Sequence, residues 1–234
     1  MLRHDSTTLT SHDPLLTAPS NVLEQVDKCD LQDLLAAGKV RQYSRGEYIF
    51  SAGDSSDNVY FLQSGQIKVF QITAEGRQII LWFCFCGEVF GLAEAVHGSG
   101  RILSAQACES CAVLCVPRKE FNAYAEKHGR AALVMMRVLA CRARVLGDML
   151  VNLVNDDVNT RITKLILRLS ALYGIRTGNE VHLNIRMTHQ EIADMVGSSR
   201  QTVTKILGQL QGNGLLSIRN HRIRIHSPEL MPEL

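Results

Sequence analysis

Thr188-His-Gln-Glu-Ile-Ala-Asp-Met-Val-Gly-Ser-Ser-Arg-Gln-Thr-Val-Thr-Lys-Ile-Leu-Gly-Gln209 holds two apolar stripes at helical spacing, separated by one glycine. Ile192, Ala193 and Val196 line one side of a first segment, and Val203, Ile206, Leu207 and Leu210 line one side of a second. Apolar residues at steps of three and four predict two amphipathic helices that bury these stripes against each other. Gly197 stands where the chain must leave the first helix in a left-handed conformation, and Ser198 or Ser199 supplies the cap of the next. With its apolar side covered, the second helix presents Ser199, Arg200, Gln201, Thr202, Thr204 and Lys205 outward. These are short polar, amide and cationic groups of the kind that reach base edges or phosphates in a major groove.

The residues that follow extend this reading. Gly212-Asn213-Gly214 breaks the helical pattern, and Leu215 to Arg219 turns through Asn220-His221 into Arg222 to His226, an alternating two-stranded hairpin that reads as a basic wing. Charge is segregated as well. Residues 158–226 carry ten Lys/Arg against three Asp/Glu, a net +7, whereas residues 1–117 carry eight against thirteen, a net −5; the overall +2 conceals this division. A basic C-terminal module attracts the phosphates of double-stranded DNA, and an acidic N-terminal module is repelled by them, so a second task is expected of the first half.

At 234 residues, 46% hydrophobic and 21% charged, the chain holds two modest cores. Its start lacks the apolar core of a signal peptide, and the longest apolar run, Ile79 to Cys86, is too short to cross a bilayer, so a cytoplasmic protein without a membrane partner is expected. Residues 1–20 are polar, with Pro14 and Pro19, and read as a flexible tail; Val22 to Leu35 suggests short helices. From Val40 to Pro117, short apolar runs are punctuated by glycines at 46, 53, 65, 76, 87, 91 and 98, as a small antiparallel barrel requires. Val59 to Leu62, Gln66 to Phe70 and Ile79 to Phe83 are three of its strands. From Arg130 to Val154 a long helix carries Met135, Leu139, Leu146, Met149 and Leu153 at heptad-like steps, interrupted by Arg142. Val134, Val138, Cys141 and Val145 form a second stripe, so one face packs on the barrel and the other is expected at a homodimer interface, with Met135, Leu139, Arg142, Leu146, Met149 and Leu153 in the seam.

Barrel, long helix and winged helix-turn-helix, in that order and at this length, resemble the Crp/Fnr family of bacterial transcription regulators over about residues 40–226. The local matches are Gly46-Glu47 with Gly53-Asp54, Tyr60 to Gly65, Gly87-Glu88-Val89-Phe90-Gly91, and Gln190-Glu191-Ile192-Ala193 through Thr202-Val203. The resemblance implies an α+β chain: a tail over 1–20, an antiparallel β jelly-roll effector domain over 21–128, a dimerisation helix over 129–155 and a winged helix-turn-helix over 156–234. It also implies a dimer on a two-fold DNA site and RNA polymerase as a partner. Arg200, Gln201 and Lys205 fall on the family's base-reading positions and Thr188 on one that contacts phosphate; Gln190, Ser198, Ser199, Thr202, Arg219, His221 and Arg222 complete the expected DNA-binding set. Gln201 and Lys205 replace the glutamate and arginine of the best-known pattern, so a different operator is expected.

The expected effector pocket comprises Gly91, Leu92, Glu94, Arg101, Ile102, Leu146 and Gly147. In the family's cyclic-AMP receptors a glutamate and an arginine-serine pair grip ribose and phosphate, and threonine-serine on the long helix reads adenine. Here the matching positions carry Leu92, Arg101-Ile102 and Leu146-Gly147, which offer one charge and no other side-chain hydrogen bond, so cyclic AMP is not the expected ligand. Glu94 either restores a carboxylate to the pocket or pairs structurally with Arg101. The seven cysteines, without an export signal, are expected as reduced thiols or ligands. Cys84, Cys86, Cys108, Cys111 and Cys115 offer an alternative sensor, binding zinc or an iron-sulfur cluster or forming a redox disulfide, or they pack as small hydrophobes. The family's iron-sulfur members carry an N-terminal cysteine group; this chain has only Cys29 there. An enzyme is not expected, because a cupin-type metal site needs several histidines and the barrel has His97 alone.

Overall fold

The computed structural model describes residues 21–226 except residue 184, so the tail expected over residues 1–20 lies outside the described residues. The chain divides into two compact units, meeting between residues 143 and 144.

The first unit opens with two short helices, α1 (Val22–Gln25) and α2 (Lys28–Ala36). Eight strands follow: β1 (Lys39–Tyr43), β2 (Tyr48–Phe50), β3 (Asn58–Ser64), β4 (Ile67–Ile72), β5 (Gln78–Cys84), β6 (Val89–Phe90), then, after α3 (Leu92–His97), β7 (Ser104–Ala107) and β8 (Cys111–Pro117). They form two four-stranded antiparallel sheets, ordered β1-β8-β3-β6 and β2-β7-β4-β5, the jelly-roll architecture expected from the glycine-spaced runs. Strand β3 shows why Val59 to Leu62 is apolar without a break. Val59 and Phe61 join a core with the helices, and Tyr60 and Leu62 join the core between the sheets, so alternate residues serve opposite faces and both faces are buried.

Helix α4 (Arg118–Lys127) leads through His128 into α5 (Gly129–Asn155), 27 residues long, which runs on into the second unit. His128 lies between two carboxylates, with Nδ1 2.9 Å from Asp30 Oδ1 and Nε2 3.1 Å from Asp33 Oδ2, and so ties α2 to this junction. The helix corrects the expected seam. Met135 is 3% exposed and packs with Ala131, Val134 and Val138 in the chain's own core, with Leu139 half-buried beside them. Arg142 is also turned inward, donating to the Val89 carbonyl at 2.6 Å and lying 5.1 Å over the Trp82 ring. Of the other expected seam residues Leu146 and Met149 are half-buried and Leu153 is exposed, while Leu133, Met136, Ala140, Ala143, Gly147, Leu150 and Val154 form an exposed stripe whose steps of three and four residues keep a heptad phase. Two apolar stripes lie side by side here, and composition alone does not say which one the barrel takes.

The second unit continues with α6 (Val158–Tyr173), β9 (Gly174–Thr177), β10 (Glu180–Leu183), α7 (His189–Val196), α8 (Arg200–Gly212), β11 (Leu216–Arg219) and β12 (Arg222–Ile225). The predicted wing is half of a four-stranded sheet, β11-β12-β10-β9; the β9-β10 hairpin is an addition. Val203, Ile206, Leu207 and Leu210 of α8 are all buried, as are Ile192, Ala193 and Val196 of α7. Burial at this level stabilises by about 1.5–3 kcal/mol per large aliphatic side chain, which fixes the angle between the two helices.

Candidate nucleic-acid interface

Helix α7 starts with Thr188, whose hydroxyl accepts from the Glu191 amide at 3.2 Å while the Glu191 carboxylate accepts from the Thr188 amide at 2.8 Å and from its hydroxyl at 2.9 Å. This reciprocal cap satisfies donors that a helix start otherwise leaves open. The helix ends on Gly197 at φ +67°, the left-handed exit expected of it. Ser199 then caps α8, its hydroxyl accepting from the Thr202 amide at 3.1 Å. Serine caps contribute about 1 kcal/mol.

These constraints leave Arg200, Gln201 and Lys205 exposed on one side of α8, with Ser199 and Thr202 at its start. Gln190 is exposed as well, but its amide donates to Asp194 at 2.7 Å. Sequence reasoning missed His189: its Nδ1 lies 2.8 Å from the Thr204 hydroxyl, joining α7 to the outward side of α8. Burial, and after it the positive charge of Arg200, holds the His189 pKa below its ordinary value. Lone histidines at helix starts are common, so no sequence signal marked it.

The wing turn, Asn220-His221, reaches back to the helix pair, where the Met187 amide donates to the His221 carbonyl at 2.9 Å. Both turn residues have positive φ, +50° and +63°, the tight hairpin geometry that glycine adopts at least cost. Arg219, His221 and Arg222 are exposed around this turn. A His221→Gly variant is expected to unfold at higher temperature, gaining about 0.5–1 kcal/mol after the flexibility of glycine is set against the relieved strain. A lower melting temperature would show that the imidazole contributes more than its backbone costs.

Of the expected effector residues, the first unit brings Gly91, Glu94 and Arg101 together. The Arg101 side chain is fully buried; Nη1 donates to the Gly91 carbonyl at 2.6 Å and lies 3.5 Å from Glu94 Oε2, and Nη2 donates to the Asn58 carbonyl. Its guanidinium lies 4.4 Å over the Phe50 ring, in a stack where Tyr60 sits 5.4 Å from Phe50 and 5.2 Å from Phe90. A Cβ at Gly91 would stand 2.8 Å from Arg101 Nη1, so only glycine leaves room for this seat. Leu92 is turned into the core and Ile102 is exposed, while Leu146 and Gly147 lie on α5 beyond residue 143, in the second unit. The aromatic cage and Asn58 were not singled out in the sequence.

Cys84, Cys111 and Cys115 pack as small apolar residues in the core between the two sheets. Cys84, Cys111 and Cys115 are buried, Cys108 is half-buried, and Cys86 lies beyond the end of β5, exposed, with its thiol donating to the Gln63 carbonyl. Among the described residues no group of three or more His, Cys, Asp or Glu stands close enough to hold a metal ion. Burial pushes the Cys84 thiol up to about 12 and raises Cys111 and Cys115. Brief iodoacetamide treatment of the folded protein at neutral pH is thus expected to label Cys29 and Cys86 and spare these three until denaturation, as read by peptide mass spectrometry. Rapid labelling of Cys84 would contradict its burial.

Comparison with known proteins agrees with this geometry. The family described as "Cyclic nucleotide-binding domain" matches residues 40–128, and that described as "Crp-like helix-turn-helix domain" matches residues 160–234. The chain is similar to the global nitrogen regulator of Synechocystis sp., 29% identical over 191 residues, covering 81% of this chain and 85% of that protein. It is also similar to the CRP-like cAMP-activated global transcriptional regulator of Mycobacterium tuberculosis, 24% identical over 214 residues, covering 92% and 96%. The solved structure of FixK2 from Bradyrhizobium japonicum shares its fold, with a TM-score of 0.73 at 22% identity over 83% of this chain and 95% of that one. No helix among the described residues is long and apolar enough to cross a membrane. With both domains matched in this order and full-length relatives that are regulators and not enzymes, the chain belongs to the Crp/Fnr family of DNA-binding transcription regulators.

Proposed function

We propose that the chain works as a homodimer that reads a two-fold promoter site through α8 and controls access of RNA polymerase to it. The observation that carries this reading is the divided α8: four buried aliphatic residues on one side, and Arg200, Gln201 and Lys205 exposed on the other, beside the basic wing turn of Arg219, His221 and Arg222. Arg200, Gln201 and Lys205 read base edges. Thr188, Gln190, Ser198, Ser199 and Thr202 stand along the same helix pair as the contacts to phosphate and sugar. The exposed stripe of α5 is the dimer seam, with Leu133, Met136, Leu150 and Val154 as its large members and Ala140, Ala143 and Gly147 allowing close approach between.

The barrel takes a signal other than cyclic AMP. The cation at the expected phosphate position already donates to two carbonyls through its Nη atoms and lies against Glu94 and an aromatic face, with its Nε buried and unpartnered among the described residues, so an incoming anion would have to compete with these contacts. Footprinting of genomic fragments with the full chain tests both statements. The expected result is protection of two half-sites about one helical turn apart, unchanged when cyclic AMP is added. Protection that appears only with cyclic AMP would refute the effector reading, and no specific protection under any condition would refute the DNA reading.

A further inference from the structure

Thr204 lies on the outward side of α8, one turn after Arg200 and next to Lys205. Its hydroxyl makes two bonds, at 2.8 Å to the Arg200 carbonyl and at 2.8 Å to His189 Nδ1. A carbonyl can only accept, so the hydroxyl hydrogen goes to Arg200 and the Thr204 oxygen must accept from an Nδ1–H of His189. That assignment fixes the imidazole tautomer. Burial, and after it the positive charge of Arg200, favours the neutral form of the ring. With its one donor spent and one of its two lone pairs engaged, the Thr204 hydroxyl has no hydrogen to give a base, and its methyl group is the apolar surface left to offer one. The only apolar feature on a base edge in the major groove is the C5-methyl of thymine.

We infer that His189 is a positioning residue for sequence reading: by holding the Thr204 hydroxyl from the neighbouring helix, it makes the recognition helix present a methyl group that selects thymine at one base pair of each half-site. The inference rests on the proposed reading of DNA by α8, and it adds a specificity determinant outside that helix.

The test begins with selection of an operator from random duplexes by the full chain, followed by replacement of each half-site thymine with deoxyuridine. Uracil keeps every hydrogen-bonding group of thymine and lacks only the methyl. One position per half-site is expected to lose roughly fourfold in affinity, the size of one buried methylene-scale contact. Thr204→Val, which keeps the methyl without the hydroxyl, retains this penalty, whereas Thr204→Ser abolishes it. His189→Ala releases the hydroxyl and weakens the penalty in the native background. In the Thr204→Val background it leaves the penalty unchanged, an outcome that general loosening of α7 would not produce. Thermal melting of each variant confirms that it is folded. A selected operator indifferent to uracil at every thymine, a penalty that survives in Thr204→Ser, or a penalty undiminished by His189→Ala in the native background overturns the inference alone. A selection that returns no sequence preference overturns the reading of DNA beneath it.

Discussion

Replacing Arg200 and Lys205 together with alanine is expected to lower affinity for a selected duplex by on the order of a hundredfold or more, with almost no change in folding stability. Each side chain is exposed, so the two effects separate. A base-reading pair in the major groove is worth about 1–3 kcal/mol, and about 1.4 kcal/mol is a factor of ten, so losing two readers spans one to four decades. Part of the loss is Coulombic, and the dependence of the binding constant on salt should become shallower by about one unit for each phosphate contact removed. Fluorescence anisotropy across a salt series measures both. Native affinity in a variant with an unchanged melting temperature would remove α8 from the reading of DNA.

The second large effect concerns the barrel and reads out as stability. Arg101→Leu is expected to destabilise the protein by about 3–5 kcal/mol, because it leaves the Glu94 carboxylate, 9% exposed, without its cation and two carbonyls without their donor. In urea the midpoint should fall with little change in slope. Adding Glu94→Gln to Arg101→Leu should recover part of the loss, since the uncompensated charge is then gone while the cavity remains. A loss below about 1 kcal/mol would mean that the guanidinium is held loosely and is available to an anionic ligand. Stability and effector chemistry therefore answer the same question here.

Local chemistry made the interface readable. Gly197 permits one exit from α7, the serine run offers one start for α8, and the two apolar stripes can cover only each other; the structure realises all three. Less was readable wherever two partners compete for one residue type. Met135 and Leu139 satisfy a heptad as well as Met136 and Ala140 do, and only the presence of the barrel core decides between them. The β9-β10 hairpin is four residues a side, too short for alternation to stand out, although the Gly178-Asn179 loop between its strands is a two-residue hairpin signal. The sequence offered Glu94 as a possible partner of Arg101 but not its other partners, backbone carbonyls and aromatic rings from distant strands, which no local spacing encodes. The cysteines read as a group because they are near one another along the chain, whereas Cys84, Cys111 and Cys115 are packed as core residues and Cys86 is exposed.

The single bond from the Met187 amide to the His221 carbonyl has a practical consequence for anyone rewiring this regulator. It staples the hairpin tip to the threshold of the two-helix reader, so swapping only the thirteen residues of α8 for those of a relative would leave the donor helix matched to a foreign brace. A transplant that carries residues 187–222 as one cassette keeps reader and brace in the combination in which they were selected.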